Sequence, residues 1–432
     1  MYHLLIRLVL PLYVMCGLSC SMLDVDYSID LETSVDRCFY QYDGDGKLKV
    51  ISRYQGDSDY DIIQEWDYDL QQSLDLIYTF SSVYLWKRGD SEIGKPDKVE
   101  IMSQSSDCIL ATRLNRFDNY SGSTEKDNTY CSGNHCMEYK GKLYKTGETT
   151  SVSIYANDKR IERLSEGNAD SLLIVVSTVA YNPFVLYDSL EKNETSPVYS
   201  PQFLETIAYR VRRGTIHCSV DRKYLQKTNI ETYGGFASMS VDLKFAYFPC
   251  GHTMENAGDD GFGELVKNVG LNNEACNKAN FPDFNHFIKR NTEKSVYECV
   301  YLPSIGIGDH REIPDDYSMY WIYNGVGQTW KKVYHRLTYH KVFNEGESQH
   351  VECYYCWFKP IVDNRDYIQF VIDDLVLLDF KRPYSGKIDG FEWKQYDLIR
   401  VTDGISLERQ DSNLIVDAQR AGSIALKEVK NM

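Results

Sequence analysis

Across 432 residues the chain is 43% hydrophobic and 25% charged, the balance of a globular protein, which excludes wholesale disorder and leaves room for two or three domains. A formal net charge of −16 argues against nucleic acid and anionic membranes as partners, since both require a basic face. It favours solubility or a basic ligand. Tyrosine is abundant, 34 residues beside 17 Phe and 6 Trp. That suits half-buried strand faces, where the ring packs and the hydroxyl reaches water, and it also suits adaptable binding surfaces.

Residues 1–20 open with His3 and Arg7, run through an apolar block from Leu8 to Val14 and leave through Gly17 and Ser19. This is the layout of a secretory signal peptide, and the apolar run is shorter than the roughly 20 residues a membrane helix needs. Asp24, Asp26, Asp30 and Glu32 follow at once, so no amphipathic stripe continues. The expected product is secreted, extracellular, without a membrane span, and one unit more negative once Arg7 is removed.

Twelve cysteines include Cys16 and Cys20 at the signal. The remaining ten are Cys38, Cys108, Cys131, Cys136, Cys218, Cys250, Cys276, Cys299, Cys353 and Cys356. An even number in an oxidising compartment reads as a disulfide framework. Cys131–Cys136 is the expected local pair, with Cys38–Cys108 and Cys218–Cys250 as bridges inside domains. Asn119 and Asn193 begin Asn-x-Ser/Thr sequons in polar stretches and are expected to be glycosylated.

Taken in order, Val25, Tyr27, Ile29 and Leu31 alternate as a strand does. Cys38–Tyr42 and Leu48–Val50 flank Asp43-Gly44-Asp45-Gly46, a hairpin signal because Gly and Asp tolerate positive φ. Leu74 to Trp86 again alternates and ends at Arg88-Gly89-Asp90, the tetrapeptide start of a possible adhesion turn with Ser91. Residues 157–170 are charge-rich and mark the first domain boundary. The apolar run 172–181 reads as a buried strand that turns at Asn182-Pro183. Residues 239–247 give the clearest period-2 pattern. Asp259-Asp260 followed by Phe262, Leu265, Val266 and Val269 predicts the one short helix, near 260–270. Beyond residue 295 strands follow closely: 296–302, 319–323 closed by Asn324-Gly325, 332–343, and 350–358. Ile368, Phe370 and Ile372 are expected to face Val376, Leu378 and Phe380 across Asp373-Asp374. Pattern weakens after Gln410.

The expected architecture is all-β, two or three disulfide-braced β-sandwich-like domains in series: signal 1–20, domains 22–160, 170–290 and 295–410, and a tail 411–432. Cys299, Trp321 and Cys353 stand in the Cys…Trp…Cys order of immunoglobulin-like sandwiches, which residues 297–360 resemble. The gap to Trp321 is longer than that family's, and no Tyr stands two residues before Cys353.

Cys353-Tyr-Tyr-Cys356 has the CxxC spacing of redox and zinc sites, but its flanks are strand-like. Residues three apart on a strand face opposite sides, so two separate structural disulfides are expected. Arg210, Arg212 and Arg213, and Lys331 with Lys332, read as solvated sheet faces. No Gly-x-Ser-x-Gly, His-Glu-x-x-His or P-loop occurs. Asp259-Asp260 and Asp373-Asp374 offer paired carboxylates, though adjacent acids ordinarily cap helices or fill turns. No catalytic, cofactor or metal residue is assigned. The functional expectation is a glycosylated, non-enzymatic extracellular protein that binds a protein ligand or receptor. A decoy for basic cytokines or chemokines and a secreted hydrolase are the alternatives.

Overall fold

The structure is a computed structural model that describes residues 37–68, 77–88, 99–102, 112–116, 129–133, 136–193, 195–238, 245–247, 253–254, 285–291, 296–302, 320–324, 331–335, 337–389, 393–410 and 412–429. The signal segment, the 260–270 helix, Gly89, Asp90, Cys108, Asn119, Cys250 and Cys276 lie outside them.

The protein is all-β with one short described α-helix. Its largest sheet has ten described strands, in the order Lys159–Ile161, Gly147–Ala156, Leu172–Tyr181, Pro201–Arg212, Thr215–Tyr224, Ser348–Phe358, Val296–Leu302, Asn285–Asn291, Phe245–Tyr247 and Thr253–Met254. A second sheet runs Ser165–Ala169, Cys38–Tyr42, Leu48–Arg53, Tyr60–Tyr68, Tyr78–Lys87 and Val99–Met102. Leu48, Val50, Trp66 and Phe80 from the smaller sheet share one core with Ile174, Ile207, Tyr209 and Trp357 from the larger. Alternation explains this packing, because strand period 2 sends every second side chain inward. Pro201–Arg212 shows the pattern plainly, with Phe203, Glu205, Ile207, Tyr209 and Val211 all buried.

The far end of the ten-stranded sheet buries its other face. Ile288, Cys299, Cys356 and Phe358 pack there against Phe370, Leu377 and Ala425. The latter residues belong to a five-stranded sheet of Val362–Asp363, Tyr367–Ile372, Leu375–Phe380, Gly422–Glu428 and Tyr396–Val401. That sheet turns its second face onto Tyr384–Ile388, Asn413–Ala418 and Ile405–Gln410, closing a small sandwich around Phe380, Leu414, Val416 and Ile424.

Several expectations change. The charged stretch 157–170 is not a linker: it contains two edge strands that carry the chain from the ten-stranded sheet to the six-stranded one. Edge strands tolerate charge because one side is open to water. Hydrogen bonding also crosses the expected domain boundaries, since Cys38–Tyr42 pairs with Ser165–Ala169 and Thr215–Tyr224 pairs with Ser348–Phe358. Residues 36–432 form one compact unit. Within the expected tail the strands Asn413–Ala418 and Gly422–Glu428 form, and Leu414, Val416, Ile424 and Leu426 are fully buried.

The hairpin over residues 367–380 forms as expected, but Phe370 lies opposite Leu377 and Ile372 opposite Leu375. Ile368, Phe370 and Ile372 therefore share their core with Leu377, while Val376, Leu378 and Phe380 face the other core. Asn324 is paired with Lys331, so Asn324-Gly325 is not a two-residue turn.

The described α-helix, Pro183–Lys192, stands where the sequence suggests only a turn. Asn182 accepts hydrogen bonds from the Phe184 and Val185 amides, and Pro183 occupies the first turn, where a missing N–H costs nothing. Leu186 and Leu190, one turn apart, bury against Met137, Tyr139 and Tyr144 of a small hairpin.

Candidate functional site

Where the chain crosses between the two large sheets, a cleft of about 480 Å³ opens, lined by Tyr42, Tyr68, Ile154, Arg160, Glu162 and Arg163 among others. Each wall has a local cause. The Asp43–Gly46 turn holds Tyr42 in place: the Lys47 amide donates to Asp43 Oδ1 at 2.8 Å, and Gly46 takes φ of 95°, a region glycine enters without strain. Tyr68 ends its strand beside Tyr78, the rings edge-on with centroids 5.1 Å apart. Burial pushes both phenols above their ordinary range, so neither ionises near neutrality.

The opposite wall comes from Lys159–Ile161, where Arg160 lies across from Tyr155. Arg163 leaves the strand end and donates to the Gly44 carbonyl at 3.1 Å. Its guanidinium also bonds Tyr42 and so stays above its ordinary value. Arg160 pairs with Glu162 at 3.5 Å, a solvent-exposed contact that salt weakens. Leu164, which follows Arg163, adopts φ of 61° and is 84% exposed. A branched residue in the left-handed region beside a cleft is unusual. The cleft thus combines two guanidiniums and two phenol rings in an otherwise acidic protein.

The candidate residues from the sequence are dispersed. Arg88 donates to Asp61, with NH2 2.9 Å from Oδ1, so its guanidinium is committed to a buried carboxylate and not presented to solvent alone. Asn193 closes the helix and is exposed. Its Oδ1 accepts from the Thr195 amide and hydroxyl, both within the sequon. Asp373 and Asp374 sit at the tip of their hairpin, in ion pairs with Arg212 at 3.6 Å and Lys427 at 3.3 Å. Among the described residues no group of three or more His, Cys, Asp or Glu is arranged to hold a metal ion.

The described cysteines stand as thiols, and the structure does not show the expected disulfide bracing. Cys131 lies within the Thr129–Ser132 strand, opposite Arg113. The Gly133 amide donates to the Thr146 carbonyl and Ser132 Oγ to the Tyr181 carbonyl. Cys38 donates to the Ala169 carbonyl at 3.3 Å, and Cys108, its expected partner, lies outside the described residues.

Sequence reasoning missed the cleft. Its two aromatic residues precede its two arginines by about a hundred residues, and no local spacing joins them.

No protein-family model matches the chain. No curated protein matches it. Two solved structures are similar over most of its length. One is a galactose 1-epimerase from Lactobacillus acidophilus NCFM, at 10% identity, covering 75% of this chain and 99% of that one, with a TM-score of 0.24. The other is a galactose mutarotase-like protein from Clostridium acetobutylicum, at 10% identity, covering 73% and 96%, with a TM-score of 0.29. At such scores the likeness carries nothing further about fold or activity.

Proposed function

We propose that the chain is a secreted, glycosylated binding protein that takes an acidic peptide segment of an extracellular ligand or receptor into the cleft at Tyr42, Tyr68, Arg160 and Arg163. The observation that carries this reading is the pairing of two guanidiniums with two phenol rings on the cleft walls. Guanidinium forks match carboxylate geometry bidentately. Tyr and Arg are also the side chains that dominate binding energy at protein interfaces. Glycosylation at exposed Asn193 and disulfide bracing belong to the same extracellular reading.

Capture of a basic partner remains the second reading, favoured by the net charge of −16, but it requires a surface other than this cleft. A hydrolase would need converging acids, and the described cleft walls contribute Glu162 alone among carboxylates.

Expression in a secretory eukaryotic cell tests the proposal. The protein is expected in the medium, losing mass on deglycosylation, and binding a glutamate-rich peptide with an affinity that falls as salt rises. Retention in the cell overturns the secretory part. Absence of peptide binding at low salt overturns the cleft.

A further inference from the structure

Four of the described cysteines are set opposite one another by strand register. Cys218 lies directly across from Cys353, and Cys299 directly across from Cys356. All four are completely buried. We propose that Cys218 with Cys353 and Cys299 with Cys356, which stand as thiols in this structure, oxidise to two cross-strand disulfides that staple the Ser348–Phe358 strand to the neighbour on each side.

Opposed residues in an antiparallel pair project from the same face, with Cα atoms about 4.5–5.5 Å apart. That falls inside the roughly 4.4–6.8 Å range a disulfide spans. Cys353 and Cys356, three apart, face opposite sides of the sheet. Cys353 joins Cys218 in the core shared with the six-stranded sheet, and Cys356 joins Cys299 in the core shared with the five-stranded one. The same division prevents the four sulfurs from meeting at a single metal ion. No such register exists for Cys38, which faces Ala169, or for Cys131, which faces Arg113.

Each bond forms by exchange with a small disulfide such as oxidised glutathione. One protein thiolate attacks it, giving a mixed disulfide and releasing one glutathione. The second protein thiolate then displaces the other, and the two thiol protons end on the two glutathiones. The protein pair loses two electrons and the glutathione disulfide gains them. Burial pushes the Cys356 thiol up to about 12 and raises Cys299 as well. Thiols so placed are poor nucleophiles, so exchange belongs to folding, before the sheets close over them.

The test is to refold the full chain from urea with a glutathione redox couple, quench with acid, unfold and block remaining thiols in denaturant, digest without reduction and identify linked peptides by mass spectrometry. Peptides joining Cys218 to Cys353 and Cys299 to Cys356 are expected. A Cys353–Cys356 link, or alkylation of either expected pair, overturns the proposal. In Cys353→Ser, Cys218 should become alkylated while the Cys299–Cys356 link persists. Should that variant fail to fold, the wild-type peptide map decides alone. Protein folded first under reducing conditions should resist the same oxidant at least tenfold longer than protein refolding in its presence. Equal rates would contradict the required order of events.

Discussion

Replacing Glu205 by alanine should destabilise the protein more than replacing Glu205 and Arg222 together by apolar residues. The two are cross-strand partners in the ten-stranded sheet, and both side chains are almost fully buried. Arg222 NH2 donates to Glu205 Oε1 at 3.1 Å and Nε to the same oxygen at 3.3 Å. The guanidinium carbon also lies 3.6 Å from the Tyr233 ring centre and 4.7 Å from that of Phe203. Burial alone would disfavour its charge, yet Glu205 and the neighbouring tyrosines more than offset that, and its affinity for the proton is raised. Removing the carboxylate strands this cation in the core, a cost of about 3–5 kcal/mol. Substituting both groups by residues of similar volume, Glu205→Leu with Arg222→Met, is expected to be close to neutral. Urea unfolding with an unchanged m-value measures both effects. A Glu205→Ala cost below about 1 kcal/mol, the range of exposed pairs, would show that water reaches the pair and would refute the reasoning.

Gly56→Ala should cost about 3 kcal/mol or more, because a Cβ there would lie 2.2 Å from the Lys359 carbonyl oxygen at φ of 82°. A fall in the urea midpoint smaller than that of a surface Gly→Ala would contradict this close approach. Asp363 bonds Lys381, Tyr297 and Arg290. Burial alone would raise its proton affinity, but these partners outweigh burial and hold it below the ordinary carboxylate range. Its stabilisation is therefore complete above the unfolded carboxylate pKa, near 3.9, and is lost as pH falls through the lower folded value. Asp363→Asn should flatten the acid limb of a stability profile. An unchanged acid limb would refute the assignment.

The all-β class was legible because alternation over stretches such as 201–212 is a direct image of one buried and one wet face. Register at 367–380 was not, since both faces of that hairpin meet a core and apolar residues stand at both parities of its strands. The helix at Pro183–Lys192 carried its own start signals in Asn182 and Pro183, but an Asn-Pro step also begins a turn. The ordered segment after Gln410 is a short alternating run, Leu414, Val416 and Ala418, whose weight comes from its partner strands. The cysteine spacing foretold opposite faces for Cys353 and Cys356. Their partners depend on which strands become neighbours, and that is a long-range property. The cleft depends on it too. Residues that looked like a charged boundary became one of its walls once the chain there formed edge strands of two different sheets.

The most direct test of the binding reading reverses the charge of the cleft. Arg160→Glu with Arg163→Glu exchanges two exposed guanidiniums for carboxylates without touching either core. Titration of the wild type and this variant with glutamate-rich and lysine-rich peptides at low salt should show a switch. The wild type is predicted to bind the acidic peptide, and the variant to lose it at least tenfold and gain the basic one. Acidic-peptide affinity that is unchanged in the variant would contradict the account.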